Sequence, residues 1–175
     1  MIPGLYYYEN VLEESEGMLQ QLNMYRWETS GTTKYQRYKP NLLGYNTLPT
    51  CLKPLRDQVT EICRMILPTK TPNYAYFNEC LIVQYEIGEG MAKHYAYPRD
   101  DCDVAATFVF GGGATLLFSN KDTVKELYTR HHSLCIVSED AAWDWTSEMP
   151  VALYDTVKDE KVFRERRIAI TFRHI

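Results

Sequence analysis

Three side chains that can do binding chemistry stand out by their placement beside apolar runs. His94 lies after a glycine-containing turn that follows the run at residues 80–85, and Arg167 and Arg173 delimit the last apolar run of the chain. Because side chains alternate along a strand, both arginines project from one face of that run. An imidazole can bind a metal ion, and two guanidinium groups on one face can bind a carboxylate. These residue types are therefore candidates for metal or anion binding.

Short strands must position these residues, because the sequence after Pro72 is a succession of short apolar runs separated by turn signals. Many short strands with glycine turns are typical of a β-sandwich or a jelly roll. The predicted strands are residues 80–85, 104–110, 114–118, 133–137 and 167–173.

Helices are predicted to support this β region from the first part of the chain. Apolar residues at helical spacing predict an amphipathic helix over residues 52–66, with Thr50 capping its start and Pro68 ending it. A further helix is predicted over residues 13–25. Residues 31–45 are polar and rich in tyrosine, which is typical of an extended hairpin or a surface loop.

The length of the chain limits it to one domain. With 175 residues, 45% of them apolar, it can bury one core and is too short for two comfortable domains. We predict a single domain over residues 1–175, mostly β with supporting N-terminal helices. In it, residues 1–73 form helical and hairpin support and a lid, and residues 74–175 form the jelly-roll core.

Composition excludes several classes of protein. The net charge of −4 gives no general attraction to nucleic acid or to anionic membranes, so any basic surface must be local. The five cysteines are scattered without a C-x-x-C pair, which indicates neither a zinc site nor a disulfide framework. No run reaches the ~18 apolar residues of a membrane span, and no secretion signal is recognised. We expect a soluble, intracellular protein whose compartment the sequence does not specify.

Three motifs follow one another over residues 74–175. Residues 78–94 match N-x-x-L-x-N-x-Y-x-x-G-x-x-x-x-x-H-x-D in spacing, residues 133–149 are similar to a segment ending in W-x-H-G-I, and residues 167–173 match R-x-S-x-T-F-R almost letter for letter. These motifs belong to the AlkB-type iron(II) and 2-oxoglutarate dioxygenases, which the chain resembles. The resemblance implies a double-stranded β-helix, the jelly roll of that family.

The resemblance also identifies where the family's metal ligands would lie. Two histidines and one aspartate on one face of iron(II) are required. His94 matches the first histidine, but the aspartate position is Ala96 and the second histidine position is Ser147. A methyl group and a hydroxyl thus stand where ligands are expected. The resemblance thus implies a domain that does not hold iron, in which His94 is either a residual metal ligand or a retained, hydrogen-bonded residue at the mouth of the jelly roll.

Residues that hold 2-oxoglutarate in the family are partly kept. Tyr85 matches the tyrosine that touches the co-substrate, and Arg167 and Arg173 match the arginines that bind its carboxylates. Val83 stands where the family has an asparagine. The resemblance implies that an anion pocket survives without the metal.

Replacement metal ligands have two candidate sources. His131 and His132 precede a predicted strand, but adjacent residues of a regular strand point to opposite faces and do not bind one ion together. Asp100, Asp101 and Asp103 follow His94 closely, and one of them could supply a carboxylate if the loop folded back; the alternative is a solvated acidic loop.

A basic and aromatic segment in the first part of the chain could contact a partner. Its composition suits phosphate contact combined with base stacking. In the family the corresponding region often forms the lid that selects a nucleic-acid substrate, whereas the alternative is a solvated hairpin with tyrosines packed on the sheet. The segment's candidate contact residues are Lys34, Tyr35, Arg37, Tyr38 and Lys39. Trp143 and Trp145 are predicted to share a strand face as core or interface anchors.

We therefore expect a catalytically inactive AlkB-like domain that needs no cofactor and works as a binding or assembly module for a protein or nucleic acid. The alternative is an active dioxygenase that uses iron(II) and 2-oxoglutarate, with ligands drawn from elsewhere, to demethylate nucleic acid or hydroxylate protein. A third hypothesis is an interaction protein without a pocket. It is favoured if internal carboxylates, for which Glu86 and Asp144 are candidates, neutralise both Arg167 and Arg173.

Overall fold

The structure is a computed structural model that describes residues 1–38, 48–67, 77–96 and 104–173. The strands in these ranges are β1 (Leu5–Tyr8), β2 (Glu28–Ser30), β3 (Thr33–Tyr38), β4 (Glu79–Tyr85), β5 (Met91–Tyr95), β6 (Val104–Gly111), β7 (Ala114–Asn120), β8 (Thr123–Thr129), β9 (Ser133–Ser138), β10 (Thr146–Met149), β11 (Tyr154–Val157), β12 (Glu160–Phe163) and β13 (Arg167–Arg173). The helices are α1 (Glu16–Leu22), α2 (Lys53–Ile66) and α3 (Glu139–Trp143), with a 3₁₀ turn at Thr50–Leu52.

Two antiparallel sheets pack against each other and form the predicted jelly roll. The seven-stranded sheet has the order β1-β9-β6-β13-β4-β3-β2, and the four-stranded sheet has the order β5-β10-β7-β8. Their inner faces meet where Phe118 of β7 packs with Cys135 of β9. β11 and β12 form a separate hairpin. The prediction of a mostly β, double-stranded β-helix is confirmed.

The main apolar core lies on the other face of the seven-stranded sheet. There the buried side of α2, which includes Leu55 and Val59, packs with strand residues such as Phe108, Ile170 and Phe172. The alternation predicted for β13 is confirmed, because Ile170 and Phe172 enter this core while the arginines face the opposite side. Each of the central strands is therefore buried on both faces.

The predicted helices are present with different ends. Residues 52–66 form α2, but the proposed Thr50 cap is wrong because Thr50 begins the 3₁₀ turn and no side chain caps α2. The helix predicted over residues 13–25 is shorter, Glu16–Leu22, and continues as turns. Pro68 and the boundary at residue 73 lie outside the described residues. Among the described helices, none has the length and hydropathy needed to cross a bilayer.

The five predicted strands are present, but sequence patterns missed others. The predicted strand face shared by Trp143 and Trp145 is wrong, because Trp143 ends α3. Residues Ser138, Glu139 and Asp140 carry the signal of that helix start, an N-cap type followed by acidic residues. Part of the segment predicted as a hairpin or loop over residues 31–45 forms the β2–β3 hairpin, and residues 39–47 lie outside the described ranges.

Candidate functional site

A cavity of about 170 Å³ lies between the two sheets and gathers the residues predicted to form the site. Most of its lining is apolar. The site residues predicted from the sequence that line it are Tyr85, His94, Ala96, Ser147, Arg167 and Arg173. Val83, predicted from the resemblance to stand at an asparagine position, also lines the cavity. Positions far apart in the chain thus line one cavity, and their binding roles stay predictions.

The positions predicted to match metal ligands lie close together in or beside the four-stranded sheet. Ser147 of β10 is the cross-strand partner of His94 on β5, and Ala96 follows β5 directly. Nδ1 of His94 donates to the Ala92 carbonyl oxygen at 2.9 Å, which leaves Nε2 with its lone pair in the neutral ring. One imidazole, one methyl group and one hydroxyl do not fit the two imidazoles and one carboxylate of an iron(II) facial triad.

Replacement ligands are also not brought together in the described ranges. Residues 1–38, 48–67, 77–96 and 104–173 contain no cluster of three His, Cys, Asp or Glu side chains that could hold a metal ion. The proposed acidic source, Asp100, Asp101 and Asp103, lies outside the described residues. Of the histidines considered as replacements, neither His131 nor His132 lines the cavity.

His131 and His132 differ from the expectation that their rings point apart. They occupy the turn between β8 and β9, and their rings stack with centroids 3.6 Å apart. The reason is the left-handed backbone of His132, with φ of 59°, which abolishes strand alternation. Nδ1 of His131 accepts a hydrogen bond from the Gly111 amide at 2.8 Å, and Nε2 of His132 is hydrogen-bonded to the Ser15 hydroxyl, also at 2.8 Å. These hydrogen bonds connect the β8–β9 turn to β6 and to the residue before α1.

Arg167 is buried at the start of β13, with 5% of its surface exposed. Its Nη2 donates to Oγ1 of Thr129 at 2.8 Å, and its Nη1 donates to the Gly112 carbonyl oxygen at 3.1 Å. Thr129 donates in turn to the Ala114 carbonyl oxygen at 2.9 Å, so its hydroxyl presents a lone pair to Arg167. In the described part of the chain, no carboxylate pairs with Arg167 and no atom accepts a hydrogen bond from its Nε.

The groups around Arg167 leave its charge in place. Burial lowers the pKa of the Arg167 guanidinium to about 10, so it remains a cation at neutral pH. Burial raises the pKa of Tyr85, with Arg167 acting in the opposite direction, and burial raises the pKa of the Cys135 thiol to about 12. Both neighbours are neutral at pH 7. The cavity therefore contains a buried positive charge that its neighbours do not cancel.

Arg173, at the other end of β13, has a carboxylate partner. Nε of Arg173 donates to Glu79, which is 2% exposed, and Arg37 donates to the same carboxylate at 2.7 Å. The two guanidinium groups hold the pKa of Glu79 below its usual value although burial acts to raise it. The partners suggested from the sequence are wrong, because Glu79 takes that place and Glu86 pairs with Arg166 instead.

The basic and aromatic segment forms β3 and is divided between two faces. Gln36 is buried and Tyr38 packs against the helical core, so Lys34 shares their face by alternation. Tyr35 and Arg37 project from the opposite face, where Tyr35 donates to Glu28 at 2.9 Å. Lys39 lies outside the described residues. Contact of this segment with nucleic acid or protein stays a prediction.

Sequence reasoning missed three residues that shape the site: Glu79, Gly112 and Thr129. Glu79 has the same strand parity as Val83 and Tyr85, which is the signal that could have identified it as a partner for an arginine. Thr129 ends β8, and the many polar residues of β8 give no apolar run from which the strand could be predicted. The role of Gly112 depends on its carbonyl oxygen and carries no side-chain signal.

Sequence comparisons give a distant viral relative and no matching family. No protein-family model matches the chain. An uncharacterized protein, L905, of Acanthamoeba polyphaga mimivirus is 26% identical over 172 residues, which are 93% of this chain and 80% of that protein.

Solved structures provide the clearer likeness. The AlkB homologue OsALKBH1 superposes with a TM-score of 0.71 and 12% identity over 100% of this chain and 98% of that one. A prolyl-4-hydroxylase from Pseudomonas putida superposes with a TM-score of 0.62 and 14% identity over 98% and 92% of the two chains. The chain therefore has the same fold as these two proteins.

Proposed function

We propose that this protein is a catalytically inactive dioxygenase-fold domain that works as a binding or assembly module. The observation that carries the proposal is the composition of the ligand positions, where Ala96 and Ser147 accompany His94 at one cavity. A jelly roll folds without iron, so loss of the metal removes the oxidation and leaves a scaffold with a pocket. The co-substrate side retains Tyr85 and the buried cation of Arg167.

A single imidazole is a weak site for iron(II). The metal prefers several ligands held in a fixed geometry, and each missing ligand leaves water in its place. His94 is exposed and its ring is oriented by a backbone carbonyl two residues earlier, not by a carboxylate. Carboxylates or carbonyl oxygens that accept from the other ring nitrogen orient metal-bound histidines in general, so the His94 contact is compatible with binding but does not replace the absent ligands.

The proposal is tested by anaerobic titration with Mn(II), followed by electron paramagnetic resonance, together with an assay of succinate formed from 2-oxoglutarate. The parent protein is expected to retain no stoichiometric metal and to form no succinate. Metal that is retained after dialysis and is lost in His94→Ala would contradict the proposal.

A rebuilt site provides the positive control. The double variant Ala96→Asp with Ser147→His restores the donor types of the facial triad, and we expect it to bind Mn(II) more readily than it regains turnover, because Val83 still replaces the family's asparagine. If the folded double variant binds no metal, the assignment of these two positions to the metal site is wrong.

The second candidate function is an active iron(II) and 2-oxoglutarate dioxygenase acting on nucleic acid or protein. The observation in its favour is the fold shared with a prolyl-4-hydroxylase and an AlkB homologue. It requires ligands from outside the described residues, for which Asp100, Asp101 and Asp103 are candidates. If the parent protein binds metal, replacing these three by asparagine should abolish binding.

For the module's partner we propose a protein or a single-stranded nucleic acid that contacts the β3 segment. Lys34 is exposed there, whereas Arg37 is engaged with Glu79. Binding through Lys34 and Lys39 should weaken steeply as salt rises. RNA binding is compared at two salt concentrations for the parent and for Lys34→Ala with Lys39→Ala. RNA binding that changes neither with the salt concentration nor with the two substitutions would favour a protein partner at another surface.

A further inference from the structure

We propose that the cavity between the sheets binds a small monocarboxylate with an apolar body, in preference to dicarboxylates such as 2-oxoglutarate. The inference deepens the proposed function and rests on it, because the ligand is held without a metal ion. The cavity combines one uncompensated buried cation with a largely apolar lining.

The carboxylate end is defined by two buried donors on neighbouring strands. Arg167 and Tyr85 are cross-strand partners, 5% and 9% exposed, and both line the cavity. Within the described residues, no acceptor meets Nε of Arg167 or the hydroxyl of Tyr85. Buried donors are almost always satisfied in folded proteins, so this pair calls for an acceptor inside the cavity. A carboxylate matches a guanidinium edge and accepts from the phenol as well.

Arg167 is the cation at this end that no described carboxylate pairs with. Arg173 also lines the cavity, but its Nε is bound to the buried Glu79, a carboxylate that it shares with the half-exposed Arg37. The neighbouring buried Arg164 is neutralised by Asp155, with contacts of 2.8 and 2.9 Å. A second carboxylate in the cavity would compete with Glu79 for Arg173 or lose its hydration without a cation of its own, and either outcome is costly.

Much of the cavity lining suits a hydrocarbon. The apolar side chains there come from both sheets and are Leu81, Val83, Met91, Leu116, Phe118, Met149 and Ala169. A 2-oxo acid chelates a metal ion, and Ala96 offers only a methyl group at a predicted ligand position, with His94 and Ser147 as the polar groups beside it. Apolar contact is favourable by about 25 cal/mol per Å² of buried surface, whereas a polar ligand end left unpaired is penalised.

Cavity size sets the length of the ligand. A dry cavity of ~150 Å³ accommodates benzene in an engineered protein. The volume of about 170 Å³ seen here is similar. Hexanoate and benzoate, with about eight or nine non-hydrogen atoms, are therefore suitable probes. Their carboxylate would lie against the donors of Arg167 and Tyr85, and their hydrocarbon part would fill the apolar volume. Longer chains would have to emerge past His94 and Ser147, which line the same cavity.

The test is calorimetric titration of metal-free protein with hexanoate, benzoate, glutarate and 2-oxoglutarate, with hexanol as the neutral control. We expect each monocarboxylate to bind at least tenfold more tightly than either dicarboxylate and than hexanol. Arg167→Met should weaken hexanoate at least tenfold. Arg166→Met is the matched control, because this neighbouring arginine is exposed and pairs with Glu86, and it should leave the affinity unchanged. In Val83→Asn, the ratio of the hexanoate affinity to the 2-oxoglutarate affinity should be smaller than in the parent.

Each outcome separates this inference from the proposed function. Equal affinities for hexanoate and glutarate, equal affinities for hexanoate and hexanol, or no binding of any probe would overturn the monocarboxylate site and leave the inactive module standing. Tight binding of 2-oxoglutarate that requires added Mn(II) and is lost in His94→Ala would overturn the proposed function as well. Selective hexanoate binding that depends on Arg167 without added metal supports both.

Discussion

The two ends of β13 carry the same side chain in different surroundings. At one end, Arg173 meets Glu79, and at the other Arg167 meets Tyr85, a threonine and a glycine carbonyl. Both arginines face the cavity. The partner strand β4 makes the difference, because it presents a carboxylate opposite Arg173 and a phenol opposite Arg167. The two arginines therefore have different surroundings, and we propose a structural role for Arg173 and a binding role for Arg167.

This difference bears on the third hypothesis raised from the sequence. An interaction protein without a pocket required internal carboxylates to neutralise both arginines. Glu79 supplies one for Arg173, whereas no described carboxylate pairs with Arg167. The observation favours a domain that retains an anion site at one end of β13 over one that has lost it entirely.

The largest effect on stability is expected at the Arg173 end. Glu79→Gln leaves the buried side of Arg173 without its anion and weakens the contact of Arg37, which joins β3 to the sheet. Removing one partner of a buried ion pair costs about 3–5 kcal/mol. Urea unfolding should show a loss of this size, against a change below ~1 kcal/mol for the exposed control Glu61→Gln. Equal losses in the two variants would show that the Glu79 cluster is not structural.

The Glu79 cluster should also make the free energy of unfolding depend on pH in the acid range. The pKa of Glu79 is below its usual 4.5 in the folded protein, with burial as the opposing effect and Arg173 as the main cause of the lowering. The unfolded chain thus binds this proton more readily than the native state, so the stabilisation is present above pH 4.5 and is lost as pH falls through the lower native value. Unfolding free energies measured from pH 6 to 3 should fall less steeply in Glu79→Gln than in the parent.

A smaller effect is expected beside the Arg167 end. Burial, followed by the charge of His132, lowers the pKa of His131 from 6.5. Its neutral Nδ1 accepts from Gly111, next to the Gly112 carbonyl that binds Arg167. Since the unfolded state takes up this proton first, stability should decrease as pH falls below 6.5, and His131→Gln should reduce that decrease. Glu14 and Glu16 line the same surface depression and oppose the effect, so a difference between pH 7.5 and 5.5 is expected to be small.

The sequence predicted the parts of the site that depend on strand parity and motif order. Alternation along β13 places Arg167 and Arg173 on the cavity face, and the motif spacing brings Ser147 opposite His94. These relations are local or imposed by a regular sheet, so they follow from the order of residues. The partner of Arg173 does not, because Glu79 is brought to it by pairing of strands distant in the chain.

Elements with atypical turns were also missed. The β11–β12 hairpin turns at Lys158 and Asp159, whose φ angles of 50° and 66° are left-handed. Asn-Gly or Asp-Gly is the usual signal of such a turn, and Lys-Asp does not provide it. His132 likewise has a left-handed backbone without a glycine, so alternation gave the wrong orientation for its ring. For His132, the hydrogen bond from its amide to the Val109 carbonyl oxygen and the contact of its ring with Ser15 hold this conformation.

The most direct test of the division of roles along β13 is the thermal unfolding of Arg167→Met and Arg173→Met with and without saturating hexanoate. A ligand at a hundredfold excess over its dissociation constant adds ~2.7 kcal/mol of stability. We predict that Arg173→Met unfolds at a lower temperature than the parent but keeps the hexanoate-induced rise, whereas Arg167→Met unfolds near the parent temperature and loses that rise. Loss of the rise in Arg173→Met alone, or an equal response of the two variants, would contradict the division of roles along β13.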